Sequence, residues 1–294
     1  MAAVTKDIKK PLPLPFAYTF ASGAIAGCTE LLLLYPLDVV KTRQQLDTAK
    51  TSTGMVQTFK NIVSQEGPAR LYRGIIPPLM MEAPKRAVKF AGNGAWSNFF
   101  TNNGQRKNTI ALATITGFFA GATESFVVTP FELVKIRMQD KNSAFKGPID
   151  VVKHSFRTAG PLGLYQGMEA TWWRHWWWNG GYFGSIFAIK GVMPKANDKK
   201  QEIINNLTAG TIGGFIGTAL NTPFDVVKSR IQLHGTGEWT YPALFKVARA
   251  EGLGALYKGF APKVLRLAPG GGVLLLVVEL LSNVFRQQLG PPYI

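Results

Sequence analysis

Long apolar stretches separated by polar segments set the pattern of the chain. From Phe16 to Leu37 the single charged residue is Glu30, and from Leu267 to Val278 there is none. A helix needs about 20 mostly apolar residues to cross a hydrocarbon core of roughly 30 Å. Stretches of this length predict six membrane-spanning helices, at about 15–45, 75–100, 109–139, 168–190, 203–232 and 260–285.

A shorter segment with helical periodicity lies between the two long stretches of each pair. In residues 54–64, apolar residues recur at intervals of three to four: Met55, Val56, Phe59, Ile62 and Val63. This spacing predicts an amphipathic helix lying along a surface, and residues 148–157 and 241–249 occupy the corresponding places. Each pair of spans therefore encloses a surface helix, and both termini lie on the same side.

The first helix of each pair ends in the same motif. PLDVVKTRQQ begins at Pro36, PFELVKIRMQ at Pro130 and PFDVVKSRIQ at Pro223. Proline has no backbone N–H, so each is expected to kink its helix. Repetition at a fixed period indicates an internally repeated fold. We divide the chain into an N-terminal tail, 1–14, and three repeats, 15–104, 105–198 and 199–294, that together form one transmembrane domain.

Two glycines precede each of these prolines at the same two distances. Small residues four apart let neighbouring membrane helices approach closely. The pairs are Gly23 and Gly27, Gly117 and Gly121, and Gly210 and Gly214. A soluble helical array is the alternative, but solenoid repeats are usually about 20–50 residues long and do not need helices of this length.

Charge and composition narrow the function. The net charge of +16 would suit nucleic-acid binding, but no nucleic-acid-binding module is present. The same excess suits a membrane protein beside anionic lipid with a cavity for anionic solutes. Cys28 is the single cysteine, so a disulfide framework is excluded. Without a phosphate loop, metal-ligand spacing or nucleophile elbow, we expect no enzyme, no metal and no cofactor.

The motifs resemble those of the mitochondrial carrier family. P-x-[DE]-x-x-[KR] occurs three times, and [DE]-G-x4-[FYW]-[KR]-G follows as EGPARLYRG at 66–74 and EGLGALYKG at 251–259. In the second repeat Ala159 replaces the acid and Gln166 the base, so we expect a weaker loop contact there. The resemblance implies an all-α membrane protein whose six transmembrane helices form a pseudo-threefold barrel of three helix-pair repeats. Short amphipathic helices would lie on the matrix side, around a cavity open alternately to either face.

Three further stretches look like those of the fungal oxodicarboxylate carriers: APKRAVKF at 83–90, WRHWWWNGGYFG at 173–184 and KVLRLAPGGG at 263–272. The implied function is antiport of 2-oxodicarboxylates, such as 2-oxoadipate and 2-oxoglutarate, across the mitochondrial inner membrane. The implied form is a monomer in contact with membrane lipid, including cardiolipin on the matrix side, and not with nucleic acid. Two alternatives stay open: a carrier of citrate or another di- or tricarboxylate, and a carrier-like membrane scaffold that does not transport.

The resemblance places the motif charges in a gate on the matrix side. An isolated copy would read as a solvated helix end, but three copies in register favour a ring. The expected pairs are Asp38 with Lys135, Glu132 with Lys228 and Asp225 with Lys41, braced by Gln45, Gln139 and Gln232. Water-accessible ion pairs are worth about 0–1 kcal/mol each, so substrate binding could open such a gate.

A second gate on the cytosolic side would draw on NGAWS at 93–97, IFAIK at 186–190 and VELLS at 278–282. In these stretches only Lys190 and Glu279 match the charges of the family pattern, and they would not be partners. We therefore expect few ion pairs at this gate and a resting preference for the state open to the cytosol.

Charged residues in the second helix of each pair are the candidates for substrate binding. Two cationic groups are needed for a dicarboxylate, and charges within a membrane indicate functional sites. The positions that match the family's contact points are Glu82, Lys85, Arg174, His175 and Arg266, with Arg86, Lys89 and Lys263 as supporting or alternative groups. Glu82 could instead pair with Arg86, and His175 could only fill space.

Five tryptophans surround Arg174: Trp172, Trp173, Trp176, Trp177 and Trp178. Most are expected to face lipid or neighbouring helices. The alternative is that Trp177 or Trp178 narrows the cavity, which would slow transport.

Overall fold

The computed structural model describes residues 12–48, 54–103, 105, 109–194, 198–235 and 237–293, and its secondary structure is helical. Residues 1–11 of the predicted N-terminal tail lie outside the described residues. Six long helices are present in it: α1 (Phe16–Leu46), α3 (Ile76–Phe100), α4 (Ile110–Gln139), α6 (Met168–Val192), α7 (Lys199–His234) and α9 (Phe260–Leu289). Three short helices lie between them: α2 (Met55–Glu66), α5 (Pro148–Ala159) and α8 (Thr240–Glu251).

The helix ends lie close to the predicted ones, with two differences at α7 and α9. α7 begins at Lys199, earlier than predicted, because the Asp198 side chain accepts a hydrogen bond from the Gln201 backbone N–H at 2.6 Å. Such a cap satisfies one of the free N–H groups of the first turn. α9 continues to Leu289 and stops at Gly290, whose φ of 68° few other residues adopt.

The long helices contact one another in cyclic order. α1 packs against α3 and α9, α3 against α4, α4 against α6, α6 against α7, and α7 against α9. The short helices α2, α5 and α8 pack against α1, α4 and α7 respectively. A buried apolar cluster lies where each short helix meets its long one, as with Tyr35, Val39 and Ile62 in the first repeat. The recurring motifs therefore lie at the better-packed end of the molecule.

Composition alone supports fewer spans than the six that we expected. By length and hydropathy, two segments in the described part of the chain could cross a membrane, Phe16–Leu46 and Leu253–Leu289. Charged residues interrupt other long helices, such as Lys85 and Arg86 in α3 and Arg174 in α6. These residues lower the mean hydropathy of helices whose outer faces still carry exposed apolar side chains.

The paired glycines do not all bring helices together. A Cβ added at Gly27 would overlap the carboxylate of Glu82, and one at Gly121 would lie 2.7 Å from Nδ1 of His175. These glycines make room for polar side chains. In the third repeat our expectation is wrong, because a Cβ at Gly214 would meet no atom within 4 Å. Gly217 lies against α6 instead, since its Cβ would stand 3.1 Å from the carbonyl oxygen of Trp178.

Gly217→Ala is expected to lower the thermal unfolding temperature of the detergent-solubilised protein, because two backbone groups of α6 lie within 3.3 Å of the added Cβ. Overpacking of this kind typically costs about 1–3 kcal/mol. Gly214→Ala is the matched control and should leave the temperature unchanged or raise it, because alanine favours a helix by about 0.5–1 kcal/mol. Equal shifts for the two variants would contradict the close approach of α6 and α7.

Candidate functional site

The motif charges form three ion pairs between repeats. Lys135 Nζ lies 3.0 Å from Asp38, Lys228 Nζ lies 2.6 Å from Glu132, and Lys41 Nζ lies 2.6 Å from Asp225. These are the pairs expected from the repeat, and they join α1 to α4, α4 to α7 and α7 to α1. Each motif proline lies inside its long helix, ahead of these charges: Pro36, Pro130 and Pro223.

The three glutamines of the motif differ in their hydrogen bonds. Gln45 Nε2 donates to Asp225 at 3.1 Å and so braces a gate pair. Gln139 Nε2 donates instead to the Tyr35 hydroxyl at 2.9 Å. The side-chain amide of Gln232 has no hydrogen-bond partner among the described residues. Direct bracing by a hydrogen bond to a gate pair therefore holds for Gln45 and not for the other two.

The glutamines share a packing position against the glycine that ends each [DE]-G-x4-[FYW]-[KR]-G motif. An added Cβ would lie 3.0 Å from Gln45 Cγ at Gly259, 3.5 Å from Gln139 Cγ at Gly74 and 2.8 Å from Gln232 Cγ at Gly167. The φ of these glycines lies between 76° and 82°. A side chain there would strain the backbone and push the neighbouring repeat away.

The arginine of each motif ties its long helix to the short helix that follows, a role that the sequence analysis missed. Arg43 lies 2.7 Å from Glu66, and Arg230 Nη2 donates to Glu251 at 3.0 Å. In the second repeat, where Ala159 replaces the acid, Arg137 donates to Ser155 and Gln166, both at 2.8 Å. Hydrogen bonds from the guanidinium to neutral acceptors thus replace the ion pair in the second repeat. Recurrence of an arginine at one place in all three motifs was the available signal.

Each gate carboxylate also meets a cation from α6 or α9. Arg266 pairs with Asp38 and lies 3.0 Å from Glu30. Arg174 Nη2 lies 3.6 Å from Glu132, and its Nε lies 4.0 Å from Asp225.

The third such cation is Lys263, which lies 3.2 Å from Asp225. It also donates to the side chain of Asn221 at 3.2 Å. Each gate acid is therefore shared between a motif lysine and a cation that faces the cavities.

Glu82 is engaged within its own helix. It lies 2.8 Å from Lys85 and 2.9 Å from Arg86. The pairing with Arg86 that we weighed as an alternative is present, and Lys85 joins it. The three side chains together carry a net charge of +1, and both Glu82 and Lys85 already have partners.

Two cavities lie beside these groups. The larger, of about 650 Å³, is lined by residues that include Lys89, Glu124, Arg174, His175, Trp178 and Lys263. The smaller, of about 280 Å³, lies against the gate acids and is lined by Glu82, Lys85, Arg174 and Arg266 among others. The five predicted substrate residues are thus divided between the two, and Arg174 lines both. The sequence analysis missed polar residues of the larger cavity: Asn179, Tyr182, Thr218 and Asn221.

The ring of His175 lies against Arg174, with one ring nitrogen facing the guanidinium. Its Nε2 is 3.1 Å from Nη2 of Arg174. A guanidinium can only donate hydrogen bonds, so a hydrogen bond between the two requires Nε2 of His175 to be the acceptor. Nδ1 lies on the side of the ring that is beside Gly121. His175 therefore contacts Arg174 and lines the larger cavity with it.

One of the five tryptophans lines the larger cavity. Trp178 does so while stacked on Tyr182, with ring centroids 4.9 Å apart. The others contact aromatic residues of neighbouring helices: Trp172 with Phe126, Trp173 with Tyr241, Trp176 with Phe118 and Trp177 with Phe224. Helix packing accounts for four of the five, and Trp178 is the one placed to narrow the cavity.

The two charges expected near a cytosolic gate make no ion pair in the part of the chain that the structure describes. Lys190 and Glu279 are both exposed. The described ion pairs of the long helices are located instead at the motif ends and beside the two cavities.

The chain is similar in sequence to known mitochondrial carriers. The family model described as "Mitochondrial carrier protein" matches residues 12–104, 106–197 and 199–289. The "Mitochondrial citrate transporter D" of Aspergillus niger is 53% identical, over 95% of the chain and 97% of its own length. The "Mitochondrial 2-oxodicarboxylate carrier 1" of Saccharomyces cerevisiae is 52% identical, over 94% and 96%. The "Mitochondrial 2-oxodicarboxylate carrier" of Mus musculus is 39% identical, over 88% and 91%.

Proposed function

The chain belongs to the mitochondrial carrier family, and from this premise we propose that it exchanges 2-oxodicarboxylates across the mitochondrial inner membrane by alternating access. The six long helices would each span the membrane and form a pseudo-threefold barrel, built from the repeats 15–104, 105–198 and 199–294. The motif ends would face the matrix. A single chain would suffice for transport, with cardiolipin among its lipid contacts.

One observation supports the substrate class: the two arginines that line the cavities already lie against protein carboxylates. Arg266 holds Asp38, and Arg174 lies close to Glu132. A ligand with two carboxylates can make the same charge-assisted hydrogen bonds, which offset the cost of removing its charges from water. A dicarboxylate of five or six carbons would reach two such groups at once.

This competition would couple binding to gate opening. The contacts of Arg266 and Arg174 with gate acids join α9 to α1 and α6 to α4. When substrate carboxylates take over the arginines, Asp38 and Glu132 each keep a single lysine, so fewer contacts hold the helices together. The helices can then separate at the matrix end. Cargo release restores the contacts and closes the gate.

Citrate is the second candidate cargo. The cations that line the cavities would also accept a tricarboxylate, and a citrate transporter is among the chain's relatives. The scaffold alternative is less favoured, since the gate charges of all three repeats are paired as a working gate requires.

Reconstitution in liposomes tests the proposal. Labelled 2-oxoglutarate outside should exchange rapidly for internal 2-oxoadipate or 2-oxoglutarate, and slowly or not at all for internal ATP. The controls are liposomes without protein and liposomes that contain the protein but no internal substrate. Exchange of citrate or malate with no exchange of either oxodicarboxylate would remove the leading candidate, and no exchange of any anion would favour the scaffold.

A further inference from the structure

Glu124 of α4 is an acidic residue that lines the larger cavity. It is half-buried, and no hydrogen bond or ion pair joins it to another described residue. Charged groups within a membrane helix are costly and are typically retained for a function. Glu124 has no part in the gate or in the arginine contacts described above.

The repeat shows how this position differs between the three units. Glu30, Glu124 and Gly217 each stand six residues before the motif proline. Glu30 is held by Arg266 at 3.0 Å, and Gly217 packs against the backbone of α6. Only at Glu124, among these three, is a carboxylate left facing the larger cavity without an ion pair.

The same cavity collects cations from three other helices. Lys89 of α3, Arg174 of α6 and Lys263 of α9 line it together with Glu124. Lys263 and Arg174 lie near gate acids, whereas Lys89 forms no ion pair in the part of the chain that the structure describes. A dicarboxylate can place its two charges on these cations. A third carboxylate in the same space would have Glu124 as a neighbour of like charge.

We propose that Glu124 is a specificity-determining residue, which disfavours tricarboxylates by opposing a third carboxylate in the larger cavity. The inference rests on the proposed function, because it concerns which carboxylates the same cavity accepts. Repulsion grows with the charge of the ligand, so Glu124 penalises citrate more than 2-oxoglutarate. Specificity of this kind comes from a repulsive element as well as from attractive contacts.

Glu124→Gln tests the inference, with initial rates of citrate and 2-oxoglutarate uptake measured in liposomes at a pH where citrate carries three charges. The ratio of citrate to 2-oxoglutarate uptake should rise about tenfold, equivalent to roughly 1.4 kcal/mol. Glu124→Asp keeps the charge and should keep the ratio near that of the unmodified protein. Glu202→Gln removes an equal charge from an exposed site that lines neither cavity, and it should change nothing.

An unchanged ratio in Glu124→Gln would overturn the inference, as would an equal rise in Glu202→Gln. A separate readout distinguishes this failure from failure of the proposed function. If the unmodified protein exchanges no oxodicarboxylate, the proposed function fails. In that case ligand binding is measured on the solubilised protein as the increase in unfolding temperature caused by citrate and by 2-oxoglutarate. A larger increase with citrate in Glu124→Gln than in the unmodified protein would support the inference, and the same increase in both would contradict it.

Discussion

Arg174→Ala is expected to lower 2-oxoglutarate exchange in liposomes by at least about 100-fold, equivalent to roughly 2.7 kcal/mol. Arg174 lines both cavities, and its buried Nε has no hydrogen-bond partner among the described residues. No described protein group therefore uses this donor of the guanidinium. Hydrogen bonds to charged groups contribute about 1.5–3 kcal/mol each, so loss of the guanidinium accounts for the expected fall.

Arg174→Lys separates the charge from the geometry of the guanidinium. Lysine keeps the positive charge but cannot make the paired, planar contact of an arginine with a carboxylate. We expect exchange to fall about tenfold, between the unmodified protein and the alanine variant. The unfolding temperature without substrate serves as the control for folding. Exchange by Arg174→Ala near the unmodified rate would show that substrate is bound elsewhere.

The three ion pairs between the motifs could be predicted from the sequence because their partners follow from the repeat. Charges that recur at the same place in three similar units must meet around a common axis, so the partners of Asp38, Glu132 and Asp225 follow from the order of the repeats. The positions of the helices could also be predicted from the sequence, because the length of the apolar stretches and the placement of the prolines indicate them. The arginine of each motif recurred just as regularly, yet its partner in the short helix is apparent only in the folded chain.

The second partners of the gate acids could not be predicted in the same way. Arg174 and Arg266 each stand seven residues after the glycine that ends the second motif of their repeat, whereas Lys263 stands four after it. Which acid each one reaches depends on side-chain length and conformation. The glycine pairs misled for a related reason. A spacing of four residues identifies one face of a helix, but it does not say whether a backbone or a side chain lies opposite, as the contrast between Gly214 and Gly217 illustrates.

The double role of each gate acid predicts unequal effects for the two members of one ion pair. Asp38→Asn removes the shared carboxylate, so Lys135 loses its partner and Arg266 keeps only Glu30. Lys135→Gln leaves Asp38 paired with Arg266. An uncompensated buried charge costs about 3–5 kcal/mol, whereas a lysine removed from a shared carboxylate leaves no isolated charge.

Exchange should therefore fall at least about 100-fold in Asp38→Asn, because the gate must re-form in every cycle and about 3 kcal/mol shifts such an equilibrium by that factor. We expect no more than about a tenfold fall in Lys135→Gln. The charge-swapped double variant Asp38→Lys with Lys135→Asp should not recover, because Arg266 would then face a lysine. Liposome exchange and unfolding temperature measure all three. Equal loss in the single variants, or recovery in the double one, would contradict the sharing of Asp38 between the gate and Arg266.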